Sequence, residues 1–407
     1  MKTRILIVGG GFAGVKCALE LQKKNIPNLH IRLISSKSNF EYHGALYRLV
    51  AGRSPLEVCL PLRDILDESR VDIIKDTVVE IDKVNRVAVG ESGSTYQHDI
   101  LVLALGAETD YFGIQGLEEH AWCMKTIDEA LALKKHVNTV LNTCREQATS
   151  GARFAIVGAG PTGVELAGEL AFYARAKAKQ CGLDKKLVEI DLIERSGRIL
   201  PGLDEAFAQR ISRRLEKIGV RLRTNCSVAS VDADTILCVG GDTIASSTTI
   251  WTAGVRANRL VDTLGVDQGK SGRIVVDDNL KIPGWDHIYV AGDVADTPYS
   301  GTAQTALSDG RYVARCIEIE ESDEQIMLPD YYSGAPVYAI PVGPRWAGAQ
   351  WGRSHFYGSL GWMLRRLGDW KVFINFLPLS KAFASFRSHY HSQGEDGVAL
   401  QNKSINN

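Results

Sequence analysis

The 407-residue chain lacks any stretch of about 18 uninterrupted apolar residues, so no helix is expected to span a bilayer. Its opening, MKTRILIVGG, runs straight into an apolar segment and lacks the cleavage pattern of a secretory leader. Net charge is nearly absent: 47 Lys and Arg against 48 Asp and Glu leave −1 at pH 7, which argues against general nucleic-acid binding. The eight cysteines form no CxxC or CxxxxC pair, and the nearest neighbours are Cys226 and Cys238. That spacing excludes a zinc ribbon and a redox-dithiol motif. Scattered thiols suit a reducing cytosol better than a disulfide framework. No metal site is expected. Apolar content is ample: 45% of residues are hydrophobic and 23% charged, enough for packed cores in two or three domains.

The apolar content is organised. RILIVGG is a short Ile/Val run that stops at glycines. A helical pattern with Val15, Leu19 and Leu21 follows, then a second strand, HIRLIS. RFAIVGAG, a helix through GVELAGELAFYARAKAK, and LVEIDLIER repeat the plan about 150 residues later. A helix is expected from about Ile127 to Cys144 and another over DEAFAQRISRRLEKIG. The apolar strand before Asp293, in IYVAGDVAD, reads as a return to the first unit. The expected architecture is α/β: two Rossmann-like dinucleotide-binding domains, the second inserted in the first, plus a C-terminal region. The boundaries read as 1–112 with 270–330 for the first domain, 113–269 for the second, 331–391 for the C-terminal region and 392–407 for a polar tail.

In each unit glycines occupy the first, third and sixth positions of a turn: Gly9, Gly11 and Gly14, then Gly158, Gly160 and Gly163. The first allows a tight exit from the strand. The second lets backbone approach a pyrophosphate. The third lets helix and strand pack closely, with the helix N-terminus facing the anion. The end of the following strand discriminates cofactors. In the second unit Glu194 offers a carboxylate that accepts ribose hydroxyls and repels a 2′-phosphate, predicting NADH over NADPH. In the first unit the corresponding residue is Ser35, able to make one neutral hydrogen bond instead of two charge-assisted ones. The units differ again two residues past the third glycine: Lys16 in the first, Glu165 in the second.

Together GGGFAG, LVLALGAETDYFGI, GAGPTGVELAGEL, IWTAGVRAN and IYVAGDVAD resemble the two-dinucleotide-binding flavoprotein superfamily, and within it the type II NADH dehydrogenases, the non-pumping NADH:quinone oxidoreductases. The resemblance runs from residue 1 to roughly 320. It implies that Gly9, Gly11 and Gly14 hold the pyrophosphate of FAD and that Asp293 bonds the flavin ribitol. The helix opening at Ala303 in GTAQTALSDG points its N-terminus at the flavin's pyrimidine edge. Ala104 and Gly106, in LALGAE, mark where the chain crosses between domains. Ala253 and Gly254 carry backbone past the nicotinamide. Glu165 sits beside nicotinamide and flavin, with Glu169 a second candidate one turn on. Gln304 matches the first glutamine of an AQxAxQ quinone motif, whereas Ser308, followed by Asp309, stands where the second is expected.

The implied activity is hydride transfer from NADH to FAD N5, then passage of two electrons to a quinone, with no proton pumping and no cysteine relay. A soluble reductase of a ferredoxin or rubredoxin, and a redox-sensing flavoprotein with little turnover, stay open as alternatives. Sulfide oxidation, which needs a cysteine pair near the flavin, is disfavoured. Tyr42 and His43 are expected to pack rather than touch the flavin.

Residues 345–391 hold eleven aromatics and seven Lys or Arg but one acid, Asp369. Leu360, Met363, Leu364 and Leu367 fall at helical spacing with Arg365 and Arg366 off the stripe. The pattern suits a helix in the headgroup layer, leucines down and arginines near lipid phosphate. A dimer interface would read similarly. The expected location is peripheral, on the cytoplasmic face of the membrane.

Overall fold

The computed structural model describes residues 2–24, 26–147, 151–322 and 327–388. The polar tail expected over 392–407 lies outside the described residues. The first apolar runs form a six-stranded sheet in the order Lys281–Ile282, Trp285–Val290, Ile100–Leu103, Thr3–Val8, Leu29–Ser35, Val71–Lys75. All neighbours pair parallel except the Lys281–Ile282 edge. Ile5, Leu6 and Ile7 of the central strand are fully buried, as the continuous apolar run requires when helices cover both faces.

A five-stranded parallel sheet repeats the design: Ala121–Trp122, Thr248–Trp251, Ala152–Val157, Val188–Ile193, Val220–Arg223. Its strands all lie in sequence between Ile100–Leu103 and Trp285–Val290, which are neighbours in the first sheet. The second Rossmann-like unit is thus inserted in the first. The helix expected to start at Ile127 runs Ile127–Gln147. The helix after the second glycine turn spans Pro161–Gln180, against Phe12–Lys24 for its counterpart, which accommodates the long interval before Glu194.

The texture change after 331 corresponds to an antiparallel sheet of Tyr338–Pro341, Ala347–Trp351 and Ser354–Gly358, then helices Ser359–Phe376 and Leu379–Ser388. A Cβ on Gly168 of the second glycine-turn helix would sit 2.8 Å from the backbone of Val342, so this region lies directly on the second unit.

Two expectations are corrected here. The helix Ser359–Phe376 does not turn its arginines to solvent: Arg366 and Asp369 are buried and Arg365 is mostly covered, while Leu360, Met363 and Leu367 are 47%, 49% and 55% exposed. The covered guanidiniums are paired there, Arg365 with Glu165 and Asp369 and Arg366 with Asp369, as buried charges require. The thiols are also not all separate, because Cys226 and Cys238 form a disulfide. The meander Val228–Val231, Thr235–Cys238, Thr243–Ala245 pairs Val228 with Cys238, which brings Cys226 alongside.

Candidate functional site

Both glycine turns close in the same way. Gly9 has φ +122° and a Cβ there would lie 2.0 Å from the carbonyl oxygen of Ala104; Gly158 has φ +102° and its Cβ would lie 2.6 Å from Ala253. Cβ atoms on Gly14 and Gly163 would fall 2.0 and 1.9 Å from the carbonyls of Gly9 and Gly158, so the helices sit against their own turns. The middle glycines, Gly11 and Gly160, face open space with nothing within 4 Å. That empty margin beside a helix N-terminus is where a pyrophosphate fits.

The first turn opens into a cavity of about 700 Å³. Its walls bring together Gly9, Gly11, Ser35, Ala104, Gly106, Asp293 and Ala303 from the first unit with Ala253 and Gly254 from the second. Thr162, at the start of the second glycine-turn helix, and His43 also face it; Tyr42 packs against Phe12 instead. No described cysteine lines the cavity. Gly158, Gly160, Gly163 and Glu194 lie outside these walls. They connect to the cavity through Ala253, which Gly158 nearly touches.

Glu194 follows directly on its strand. Its carboxylate accepts from the backbone N–H of Ala159 at 3.0 Å and of Ser196 at 2.9 Å, which fixes it against the glycine turn. Ser35 is buried, and its hydroxyl accepts from the Lys37 N–H at 3.2 Å. Sequence reading missed the cavity residues Lys37 and Glu41. Burial pushes the Glu41 carboxyl up, but His43 and Lys37 beside it win and hold it below its ordinary value. Their two- and six-residue offsets from Ser35 match no glycine-turn template.

The Asp293 loop is held from below. Asp309, fully buried, accepts from the Gly292 N–H at 2.9 Å and from the Tyr331 hydroxyl at 2.5 Å. Burial pushes its carboxyl up to about 6. The helix Ala303–Glu320 starts on Thr302, whose hydroxyl accepts from the Thr305 N–H. Gln304 is not turned into the cavity: its amide donates to the Val337 carbonyl at 2.8 Å and accepts from the Val337 N–H at 3.2 Å. Ser308 lies in a surface groove with Tyr332.

Glu165 is buried, and the partner that meets it is Arg365, 200 residues away, at 3.2 Å. The same guanidinium donates to the carbonyl of Gly44, on the cavity wall, at 2.6 Å. Asp369 accepts from Tyr42 at 2.9 Å and from Arg48 at 2.6 Å, and Arg48 reaches Glu57 at 3.3 Å. Burial drives Asp369 up, but Arg48, Arg365 and Arg366 overcome it and keep the carboxyl ionised below its ordinary value. For Glu165 burial outweighs Arg365 and Arg48, and its carboxyl rises to about 7. Glu169 is also pushed up by burial, with Arg53 opposing. The arrangement therefore places a carboxyl raised by burial behind the cavity wall while keeping its neighbour Asp369 charged.

The family model described as pyridine nucleotide-disulphide oxidoreductase matches residues 3–310. The chain belongs to that family. Members that it resembles include the type II NADH:quinone oxidoreductase Ndh of Mycobacterium tuberculosis, 32% identical over 338 residues, covering 78% of this chain and 72% of the relative. The type II NADH:quinone oxidoreductase of Staphylococcus haemolyticus is 29% identical over 333 residues, covering 78% and 82%. Among solved structures, NDH2 of Plasmodium falciparum with NADH superposes with a TM-score of 0.86 at 17% identity over 97% of this chain and 99% of that one. The sulfide:quinone oxidoreductase of Aquifex aeolicus gives 0.77 at 19% identity over 98% and 95%. In this chain the first glycine turn opens directly on the cavity, and the second reaches it through Ala253.

Proposed function

We propose that the chain is a flavin-dependent type II NADH:quinone oxidoreductase that does not pump protons. The observation carrying this reading is the convergence of both glycine turns on one cavity, the first directly and the second through Ala253. The name carried by the M. tuberculosis relative supports it. Open space at Gly11, the close turn at Gly9 and the helix N-terminus behind them fit the pyrophosphate of FAD. Asp293 and the N-terminus at Ala303 would hold the rest of that cofactor, with Asp309 and Tyr331 positioning the Asp293 loop. When bound, FAD supplies two-electron chemistry between a reduced nicotinamide and an acceptor. Gly158, Gly160, Gly163 and Glu194 bind NADH, and Gly254 lets the chain pass close to its ring. Glu165 holds a proton near neutral pH behind the cavity wall, and Arg365 connects it to the wall at Gly44. Gln304 acts by clamping the C-terminal sheet to the helix that faces the flavin site.

The domain division follows: 1–112 with 270–330 for FAD, 113–269 for NADH, and 331–391 for the membrane. No described helix is long and apolar enough to cross a bilayer. Leu360, Met363, Leu367, Ile374, Leu379 and Phe383 are nevertheless all exposed on the two last helices, with Lys371 and Arg387 beside them. This face binds the cytoplasmic membrane surface peripherally, where a lipid-soluble quinone is available.

Anaerobic titration tests the proposal. NADH should bleach the flavin at far lower concentration than NADPH, and a soluble short-chain quinone should restore the colour over many turnovers. One stoichiometric reduction that stalls when quinone is added would refute it. Equal response to NADPH would remove Glu194 from its role.

A further inference from the structure

Cys226 and Cys238 stand apart from the other cysteines. Burial pushes the thiols of Cys59 and Cys316 up to about 11, which keeps them protonated and inert. The Cys226–Cys238 pair instead lines an open groove of about 810 Å³, together with Arg221, Arg223 and Asn225. Cys226 is half-buried and is the thiol that solvent reaches; Cys238 is buried but leads into a turn in which Val239 is 67% exposed and Gly240 and Gly241 both have positive φ.

The pair is also wired to the second glycine turn. The Cys226 N–H donates to the Glu194 carbonyl at 3.0 Å, and the Asn225 N–H donates to the Ser196 carbonyl at 3.0 Å. Glu194 in turn grips the turn through Ala159. The disulfide thus ties an exposed hairpin to the segment carrying the ribose-binding carboxylate.

We propose that Cys226 and Cys238 form a reversible thiol–disulfide site whose state sets the affinity of the chain for NADH. The inference rests on Glu194 being the ribose acceptor. The oxidant is a low-molecular-weight disulfide. The half-buried Cys226 thiolate attacks one of its sulfurs and expels one small thiol. The Cys238 thiolate then attacks Cys226 Sγ of the mixed disulfide and expels the second. The two protein thiols lose two protons and two electrons, and the small disulfide becomes two thiols. The reduced pair stays within reach, because Val228 pairs with Cys238 and the Val239 N–H donates to the Ser227 carbonyl at 2.7 Å. The Cα atoms lie 5.5 Å apart, within the span a disulfide bridges. Oxidation restrains residues 224–227 in the conformation that supports Glu194; reduction lets that segment open locally.

The test uses the full flavin-loaded chain, treated with glutathione disulfide or with dithiothreitol. Alkylation and peptide mass should show Cys226 and Cys238 protected only after the disulfide treatment. The NADH dissociation constant should rise roughly fivefold on reduction, as loss of preorganisation predicts, and a Cys226→Ser/Cys238→Ser variant should match the reduced state. FAD content should not change. Equal alkylation in both states, or a dissociation constant that moves less than about twofold, overturns the proposal. Should the double variant misfold, Cys238→Ser alone, read by the same labelling, serves instead. Glu194→Ala tests the underlying assignment. Unchanged affinity there overturns that assignment, whereas affinity that falls there yet ignores thiol state overturns the switch alone.

Discussion

The two glycine turns have one backbone geometry and two surroundings. Both first glycines have φ above +100°, both third glycines press on the first, and both middle glycines face open space. The position two residues beyond differs in charge, yet in both units it contacts the same C-terminal helix. Lys16 reaches Asn375 at 3.3 Å and Glu20 on its own helix, whereas Glu165 reaches Arg365 at 3.2 Å. Lys16 is buried away from the cavity and completes a packing contact. Glu165 joins a network whose guanidinium touches the cavity wall at Gly44. A repeated phosphate-binding turn is therefore general, and function is assigned by what the rest of the chain brings to its helix.

Breaking each turn separately should have the largest effect. Gly14→Val drives side-chain atoms into the Gly9 carbonyl, and the purified protein should be colourless with a lowered Tm. Gly160→Ala meets nothing within 4 Å, so it should keep its yellow colour and Tm while NADH affinity falls. If both variants lose flavin, the division of labour between the turns is wrong.

Glu194→Ala sharpens the contrast at the strand ends. It removes charge-assisted acceptors worth about 1.5–3 kcal/mol and should raise the NADH dissociation constant about tenfold or more. Ser35→Ala, losing a neutral hydroxyl, should change FAD affinity far less. Stopped-flow reduction and apoprotein reconstitution measure the two.

Glu165 and Lys16 should separate by pH. With its carboxyl at about 7 rather than its ordinary 4.5, Glu165 is protonated below neutrality, so quinone turnover should fall as pH rises through about 7. Glu165→Gln should flatten that profile. Arg365→Ala removes a charge that lowers the Glu165 value, so the break should move upward. The same shift makes the folded state hold its proton more tightly than the unfolded chain, so stability from this group declines as pH rises from 4.5 to 7. Lys16→Ala should cost about 2 kcal/mol of stability without moving the profile. A shifted profile in Lys16→Ala would erase the distinction.

The smallest catalytic effect belongs to the outer face of the same helix. Met363→Glu with Leu367→Glu should abolish sedimentation with anionic phospholipid vesicles yet leave turnover with a soluble quinone nearly unchanged.

Much of the architecture was legible. The strand runs, both glycine turns and the return at Asp293 are local patterns, and the parallel sheets bear them out. Glu165 stood out through its contrast with Lys16, but its partner did not. The leucine stripe reads as the face that enters the headgroup layer, which puts Arg365 and Arg366, off that stripe, near lipid phosphate. Here the inward face carries Arg366 and Asp369 as well as Val372, Phe373 and Phe376. Asp369 at helical spacing was legible as a partner, but Glu165 and the Arg48 that meets Asp369 were not. Cys226 and Cys238 match no spacing rule, because a meander and not a motif brings them together. Asp309 read as a break in a quinone motif, although its side chain turns inward to hold the Gly292 loop.

The amino-acid sequence by itself determined where the chain turns tightly enough to receive a pyrophosphate, since a positive φ and a missing Cβ are properties of one residue and its immediate neighbours. Tertiary structure alone decided which buried charges are paired and which carboxyl keeps its proton near neutrality. Removing a charge from water is costly, and the opposite charge that offsets it arrives from a segment hundreds of residues distant, which local pattern cannot encode.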